Sequence, residues 1–411
     1  MAIFTPWKKA VTIKKALILL VLTYVSGGFT LERIGLSSGF QIRYVMLAAT
    51  MFLILMNEIR REKTSTHRNY TTSFFLVSTY AYFIILMMTA LYTANIPLFF
   101  EKMIDVVFLF SLLITTTYML KFFSFDEIIG VITTVFIVVG LIYIIPIFQS
   151  VLSGSLRGTN SIGGPNVVTR VLFFSAASAW YKFHASKKLK MLLLCFAFLA
   201  GIVLVGSRGG ILGAFVVSVV FLAFRGVYRP KKKQFSLSLK KILYYLIPVA
   251  AIFYMWDYLE RVFINRIVNL LINQVYYAGR DLLYVYAEDM IRERPFFGFG
   301  LNGYTIATGE VYPHNTLLEM MVETGVVGAV YFVFTCIITL LILRRYRNSD
   351  NLIIAILPLY MQIVQMFSGD LYDFRYFFLF SVTCLYYMQP LEKKMKNKVN
   401  NSHKLKLTPP L

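Results

Sequence analysis

The chain has 411 residues, of which 58% are hydrophobic and only 15% are charged, and its mean hydropathy is +0.67. Soluble domains carry about a quarter charged residues, so this composition excludes a water-soluble enzyme and indicates a polytopic membrane protein. The formal net charge is +21 at pH 7. Basic residues retained in cytoplasmic loops give membrane proteins this sign, so we predict membrane lipids and no nucleic acid as partners.

Apolar runs of spanning length recur from end to end, and none alternates as an outer-membrane strand does. Since each span needs roughly 20 helical residues, we predict an all-α polytopic protein with about 12 transmembrane helices and one long external loop domain. The spans are predicted near 16–30, 42–57, 72–92, 103–120, 128–147, 167–183, 190–206, 210–224, 240–257, 316–342, 352–368 and 374–390.

Basic clusters occupy alternate connecting segments. The positive-inside rule puts these clusters and both termini in the cytoplasm, and it leaves Lys102 as the single external lysine. The clusters are Lys8 to Lys15, Arg60 to Arg68, Lys121, Lys182 to Lys190, Arg225 to Lys233, Arg344 to Arg347 and Lys393 to Lys406. In chain order we predict N-terminal membrane helices in 1–150, membrane helices carrying the Arg157 and Arg208 loops in 151–257, an external amphipathic loop domain in 258–316, C-terminal membrane helices in 317–390 and a basic cytoplasmic tail in 391–411.

The external loop should contain two short helices. Apolar residues at helical spacing predict an amphipathic helix over 259–268 that lies at the membrane interface. A second helix is predicted over 281–292, because acids near its start and an arginine at its end suit the helix dipole. Pro313 is predicted in the first turn of the following helix, which would put His314 at the mouth of that helix.

His314 is the only histidine that this topology places outside, because His67, His184 and His403 fall in cytoplasmic segments. A neutral imidazole is a suitable general base near pH 7. The competing interpretation of His314, taken alone, is a cap of an interfacial helix.

Three external arginines stand out by their glycine-rich or helix-initiating surroundings: Arg157, Arg208 and Arg280. A lone arginine at a membrane surface most often contacts headgroups. Three arginines in such contexts, among so few external cations, favour a phosphate-bearing substrate. The guanidinium fork matches phosphate oxygens and stays charged.

Glu319 and Glu323 follow His314 one helical turn apart on roughly one face, where they could orient the catalytic group, bind a sugar or pair with a loop arginine. No role is assigned to Asp105, Asp370 or Asp373. The sequence has no Walker A loop, no DxD-type acidic pair in an external loop to hold a divalent metal and no histidine–carboxylate cluster for zinc. We therefore predict an enzyme without cofactor or metal, in which arginines stabilise the leaving group.

The motifs VGSRGGILGAFV at 205–216, AGRDLLY at 278–284, and FGFGLNGY followed by PHNTLLEMMVETGVVG at 297–328 resemble the Wzy/WaaL-type superfamily of bacterial O-antigen polymerases and ligases. The loop RGTNSIGGPN at 157–166 is similar to an upstream loop of that family. The family's arginines and histidine fall on Arg208, Arg280 and His314, which become the predicted catalytic residues. The predicted substrate-binding residues are Arg157, Asn166, Asn315, Glu319 and Glu323.

The resemblance implies a GT-C-like, multi-pass protein of the bacterial inner (plasma) membrane whose active face is periplasmic or extracellular. It implies an undecaprenyl-pyrophosphate-linked glycan as donor and, for a polymerase, a chain-length-regulating co-polymerase as a partner. The acceptor is a lipid-linked repeat unit in polymerases and lipid A-core in ligases. The residues do not read the acceptor, so we predict a polymerase as the broader default of the superfamily, with the ligase as the alternative. A transporter or flippase for the same lipid-linked sugar and a structural subunit of a glycan assembly complex remain as alternatives.

Overall fold

The computed structural model describes residues 6–26, 42–58, 70–153, 164–228 and 281–388. Within these ranges every regular element is a helix, as predicted. In chain order the helices are α1 (Pro6–Ser26), α2 (Ile42–Glu58), α3 (Tyr70–Met88), α4 (Ile96–Met119), α5 (Phe125–Leu152), α6 (Pro165–Ser186), α7 (Leu189–Val205), α8 (Arg208–Tyr228), α9 (Asp281–Glu293), α10 (Gly303–Thr308), α11 (Thr316–Thr324), α12 (Val326–Tyr346), α13 (Leu352–Ala355), α14 (Leu357–Gln365) and α15 (Arg375–Tyr386).

Among the described residues, four helical segments are long and apolar enough to cross a membrane: Tyr70–Leu91, Ile96–Phe122, Phe125–Leu152 and Val326–Tyr346. Shorter apolar helices cover Ile42–Met56, Leu189–Val205, Arg208–Phe224 and Leu352–Gln365. These helices agree with a polytopic membrane protein, while the total of 12 spans stays a prediction. The predicted span 240–257, the amphipathic helix 259–268 and the tail 391–411 lie outside the described residues.

The single helix predicted over 316–342 is wrong, because Gly325 divides it into α11 and α12. Gly325 has φ 61° and ψ −138°, a backbone conformation that side-chain-bearing residues avoid. A Cβ atom there would also meet the backbone of Pro295 and Phe296. The N–H of Val326 donates to the carbonyl of Pro295 at 2.8 Å. Residues 295–296 thus pack against the break, and α11 becomes a separate element that can carry a site.

Two other predicted helices can be compared with the structure. The predicted helix over 281–292 is confirmed as α9. The predicted span over 352–368 is instead divided into α13 and α14, with Pro358 in the first turn of α14. Proline fits a first helical turn because its missing N–H would have had no helical partner there.

α15 lies at the centre of the helix packing, since all of its side chains from Arg375 to Leu385 are buried. Aromatic rings surround it: Phe174 packs against Tyr376 and Phe380 with ring centroids 5.1 Å apart in both pairs. By contrast α3, α4 and α12 keep large apolar side chains exposed, as lipid-facing helices do. The helices that meet around α15 therefore hold its charged first residue, Arg375, away from solvent and lipid.

The charged residues are divided between two ends of the helix bundle. One end, here called the site end, holds the ion pairs Lys102 with Glu319, Arg170 with Asp373, and Arg43 with Asp105. At the opposite end, the hydroxyl of Tyr387 donates to the carbonyls of Leu120 and Phe123, next to Lys121. His184 also lies 4.0 Å from Asp350 there. This division follows the alternation of charge along the chain.

Candidate active site at the site end of the bundle

His314 lies immediately before the start of α11, in a left-handed backbone conformation with φ 58°. The helix cap is Asn315, whose side chain accepts from the N–H groups of Leu317 and Leu318 at 3.0 and 3.2 Å. The predicted position of Pro313 in the first turn is therefore wrong, because both Pro313 and His314 precede the cap. A left-handed histidine is strained by about 1–3 kcal/mol, and such strain clusters at functional sites.

The imidazole of His314 has an aromatic neighbour two residues before it. The rings of Tyr312 and His314 have centroids 4.3 Å apart at 62°, an edge-to-face contact. Burial raises the pKa of the Tyr312 hydroxyl, and the carboxylates of Asp370 and Asp373 raise it further. Tyr312 therefore stays neutral and links His314 to a cluster of buried acids.

Glu319 and Glu323 point from α11 into the protein and are fully buried. The ammonium of Lys102 on α4 binds Glu319 Oε1 and, at 2.5 Å, Glu323 Oε1. The backbone N–H of Leu371 donates to Glu319 Oε2, and that of Asn302 donates to Glu323 Oε1, both at 2.8 Å. The sequence left open a pairing of these acids with a loop arginine, whereas among the described residues their ion-pair partner is Lys102.

Burial raises the pKa of Glu319 to about 8, against the lowering effect of Lys102. Glu323 Oε2 is buried and has no hydrogen-bond partner among the described residues. Two acids thus share one cation in a site that excludes water. A role for either acid in binding substrate stays a prediction.

A second buried ionic cluster connects α6 with the turn before α15. Asp373 binds Arg170 through Oδ2 and Arg375 through Oδ1, the latter at 3.0 Å. Burial alone would raise the pKa of Asp373, but the two guanidinium groups lower it below its ordinary value. Burial beside Asp373 raises the pKa of Asp370 to about 6. Both arginines are almost wholly buried, so the cluster fixes the turn rather than offering free cations to a ligand.

Arg208 is exposed and is the first residue of α8, after the left-handed Gly206. The hydroxyl of Ser207 accepts from the N–H of Gly210 at 3.3 Å and donates to Asn166 Oδ1 at 2.6 Å. Ser207 therefore occupies the N–H of Gly210, one of the N–H groups in the first turn of α8. Asn166 in turn donates to Ser368 Oγ at 2.5 Å, and these contacts hold the start of α8 against residues 367–368.

One turn, residues 367–374, joins the His314 side to the Arg208 side. A Cβ atom on Gly209 would lie 2.6 Å from that of Phe367, so α8 packs directly on the turn. Arg170 donates to the carbonyl of Ser368 at 2.5 Å, and three residues later the N–H of Leu371 reaches Glu319. Hence α8 and α11 begin on two sides of the same turn.

Two predicted site residues, Arg157 and Arg280, lie outside the described residues. Arg280 directly precedes α9, whose Leu283 carbonyl accepts from the hydroxyl of Tyr304 at 3.0 Å. Ala287 and Met290 of α9 share a small apolar cluster with Tyr304 of α10 and Val322 of α11. The helix that follows Arg280 therefore packs beside the helix that follows His314.

Sequence reasoning missed three charged residues of the site end. Arg43 pairs with Asp105 at 2.8 Å and lies over the ring of Tyr372 at 4.4 Å. Arg170 lies inside the predicted span 167–183, and Lys102 was predicted only to be on the external side of the membrane. The available signal was a charge inside an apolar run, which is expensive in a membrane unless it is paired. No three histidines, cysteines or acids come together as a possible metal site in the described ranges.

Comparison with known families adds to this geometry. Residues 193–333 match a family model, Wzy_C, described as O-antigen ligase. The match covers about a third of the chain and includes Arg208, Arg280 and His314. No curated protein matches the chain. The match supports the similarity to the O-antigen polymerase and ligase superfamily that the motifs predicted.

Proposed function

We propose that the protein is a membrane glycosyltransferase that polymerises a lipid-linked glycan of the O-antigen or capsule type. The donor is an undecaprenyl-pyrophosphate-linked oligosaccharide, and the acceptor is a sugar hydroxyl of another lipid-linked repeat unit. The observation that carries this proposal is the family match over the segment in which α8 and α11 begin beside one turn. The site end would face the periplasm or the cell exterior, where a co-polymerase could set chain length.

The proposed reaction is a direct displacement at the anomeric carbon. The acceptor oxygen forms the new glycosidic bond while the bond from that carbon to the pyrophosphate oxygen breaks. His314 takes the proton of the acceptor hydroxyl. The pyrophosphate leaves with both electrons of the broken bond, and Arg208 and Arg280, with Arg157, stabilise its charge. A single displacement inverts the configuration at the anomeric carbon.

The local geometry supports these roles. His314 is half-buried and has a left-handed backbone, and the cap of α11 is the next residue, Asn315. Arg208 is exposed at the first residue of a helix, where the helix dipole adds to its attraction for an anion. Arg170 and Arg375 are neutralised by Asp373 and almost wholly buried, whereas the side chain of Arg208 is exposed.

A ligase that transfers the glycan to lipid A-core is the second candidate. One observation favours it, namely that the matching family model is described as O-antigen ligase. A deletion strain separates the two functions. Loss of a polymerase leaves single repeat units on the surface, whereas loss of a ligase leaves lipid-linked polymer and a bare core.

The direct test is transfer by purified protein supplied with lipid-linked donor and acceptor. Arg208→Ala is expected to lower kcat/KM by about 100-fold, because it removes a donor to the leaving group. Arg292→Ala is the matched control, since Arg292 is an exposed arginine of α9 paired with Glu288 and Asp289. Equal activity of the two variants would remove Arg208 from the mechanism.

Two further outcomes bear on the class of reaction. Full activity in EDTA is expected, and loss of activity that Mg²⁺ restores would contradict metal-independent transfer. Movement of the lipid-linked sugar across a vesicle membrane without any new glycosidic bond would instead support a flippase.

A further inference from the structure

We propose that Lys102 is a positioning residue for His314, because it binds two buried carboxylates of α11 and so fixes the helix whose cap His314 directly precedes. The kinetic part of this inference rests on the proposed function, whereas its stability part does not. Lys102 comes from α4, 217 residues away in sequence from Glu319. The link is therefore tertiary and cannot be supplied by the external loop itself.

The contacts of α11 converge on the two carboxylates. Glu319 and Glu323 share the ammonium of Lys102, whose side chain is only 15% exposed. Each acid also accepts one backbone N–H, from Leu371 for Glu319 and from Asn302 for Glu323. Asn302 itself has a left-handed backbone and donates its side-chain amide to the carbonyl of Leu98 on α4 at 2.7 Å. Three separate segments thus meet α11 through one pair of acids.

The contacts of Glu319 lie about one helical turn from the proposed base, His314. The N–H of Glu319 donates to the carbonyl of Asn315 at 3.0 Å, and Asn315 directly follows His314. A shift of Glu319 would therefore move the helix cap and the imidazole together. Rate depends steeply on such placement, because a displacement of about 1 Å can lower turnover by about 100-fold.

The burial of Glu319 and Glu323 depends electrostatically on the positive charge of Lys102. Neither acid is exposed to solvent, so negative charge on the pair loses its hydration and is balanced by the ammonium of Lys102. Within the described residues, the ion pairs of both acids are with Lys102. Removing the ammonium leaves uncompensated buried charge, which α11 can relieve only by taking up protons or by moving outward toward water. Moving outward would displace His314.

A direct contact of Lys102 with the donor pyrophosphate is the alternative. The ammonium is already bound to two carboxylates, and its side chain is largely buried, so the geometry favours positioning. The two roles differ in kinetics. A pyrophosphate ligand would raise the donor KM, whereas a positioning residue lowers kcat at nearly constant KM.

The experiment is a double-mutant cycle with Lys102→Met, Glu323→Gln and the double variant, in full-length protein. Transfer kinetics with lipid-linked donor and thermal unfolding in detergent are both measured. Lys102→Met should lower kcat by about 100-fold, with donor KM changed less than about threefold. The double variant should recover about tenfold in kcat over Lys102→Met and part of its unfolding temperature, because the amide keeps the Asn302 contact without a buried charge.

Lys121→Met is the matched control, since Lys121 follows the far end of α4, is exposed and lies over the ring of Tyr118. It should leave kcat and unfolding temperature unchanged. Lys102→Arg keeps the charge and should be more active than Lys102→Met. If Lys102→Met fails to accumulate, the proposal requires that the double variant accumulate better, and equal failure of both would overturn it.

Three other results would overturn the proposal: wild-type kcat in Lys102→Met, a raised donor KM at unchanged kcat, or a double variant no better than Lys102→Met in kcat and stability. If wild-type protein transfers no glycan at all, the proposed function fails instead. The unfolding temperatures still report the coupling of Lys102 to Glu323 in that case, so the two failures remain distinguishable.

Discussion

α8 and α11 begin beside the same turn, yet different kinds of interaction hold them there. The start of α11 is fixed by buried ionic contacts through Lys102, and a strained histidine precedes its cap. The start of α8 is fixed by neutral hydrogen bonds among Ser207, Asn166 and Ser368, while Arg208 stays exposed. A general base must keep one orientation, whereas a cation that receives a bulky pyrophosphate needs access. The buried ionic contacts are thus concentrated on the side proposed to move a proton.

The largest expected effect separates activity from stability on the α11 side. His314→Asn should lower kcat by about 1000-fold, within the range for losing a general base. Asparagine accepts the left-handed backbone at least as well as histidine, so the unfolding temperature should be unchanged or higher. Transfer kinetics and thermal unfolding on the same preparation test this. Near-normal turnover would eliminate His314 as the base, and a large loss of stability would show that its imidazole is structural.

Asp373→Ala should disturb both sides together, because the turn is their common support. It leaves Arg170 and Arg375 buried without their shared carboxylate, so we expect a loss of about 3–5 kcal/mol in unfolding free energy. Thermal or denaturant unfolding in detergent provides the measurement. Glu288→Ala on exposed α9 is the control, with an expected change below about 0.5 kcal/mol. Similar effects of the two substitutions would contradict a supporting role for the turn.

Ser207→Ala should affect the α8 side alone. It removes a helix cap and leaves the N–H of Gly210 and Oδ1 of Asn166 without their observed partner. The expected loss of unfolding free energy is about 1–2 kcal/mol. The unfolding temperature measures the loss. The donor KM should rise more than kcat falls, since Arg208 follows directly in the chain. A fall in kcat alone would mean that the two sides are not mechanically separate.

The smallest expected effect is a pH dependence of the α11 side. The folded-state pKa of Glu319 is raised from 4.5 to about 8, mainly by burial. Between these values the folded protein holds a proton that the unfolded chain has released, so stability is present at low pH and falls as pH rises. The unfolding temperature should fall by about 2–4 °C per pH unit between pH 6 and 8. Glu319→Gln should flatten this slope, and an unchanged slope would assign it to another group.

Much of the fold was predictable because hydropathy and charge are read locally. The all-α class, the bounds of helices such as α5 and α7 within a few residues, and α9 in the external loop were anticipated from periodicity and helix signals. The division at Gly325 was not, because an apolar run predicts continuity. At Gly325 the break coincides with a contact that sequence does not reveal, because residues 295–296 take the space that a Cβ would occupy.

The candidate site was predictable in part. His314 and Arg208 were selected by their rarity on one predicted side and by their motif surroundings, and the family match covers both. Arg157 and Arg280 keep the status of predictions. The partners of Glu319 and Asp373 could not be inferred, because Lys102 and Arg170 are separated from them by about two hundred residues of chain. Spacing along one helix reveals which residues share a face, but not which helix will oppose that face.

The sequence by itself determined that this chain is an apolar, multi-helical membrane protein whose motifs resemble the O-antigen polymerase and ligase superfamily, since composition and short motifs are properties of consecutive residues. Only the tertiary structure decided that two acids after His314 are joined to α4 and that one turn holds the starts of α8 and α11. Buried charges require partners, and within a bundle the choice of partner depends on which helices pack together.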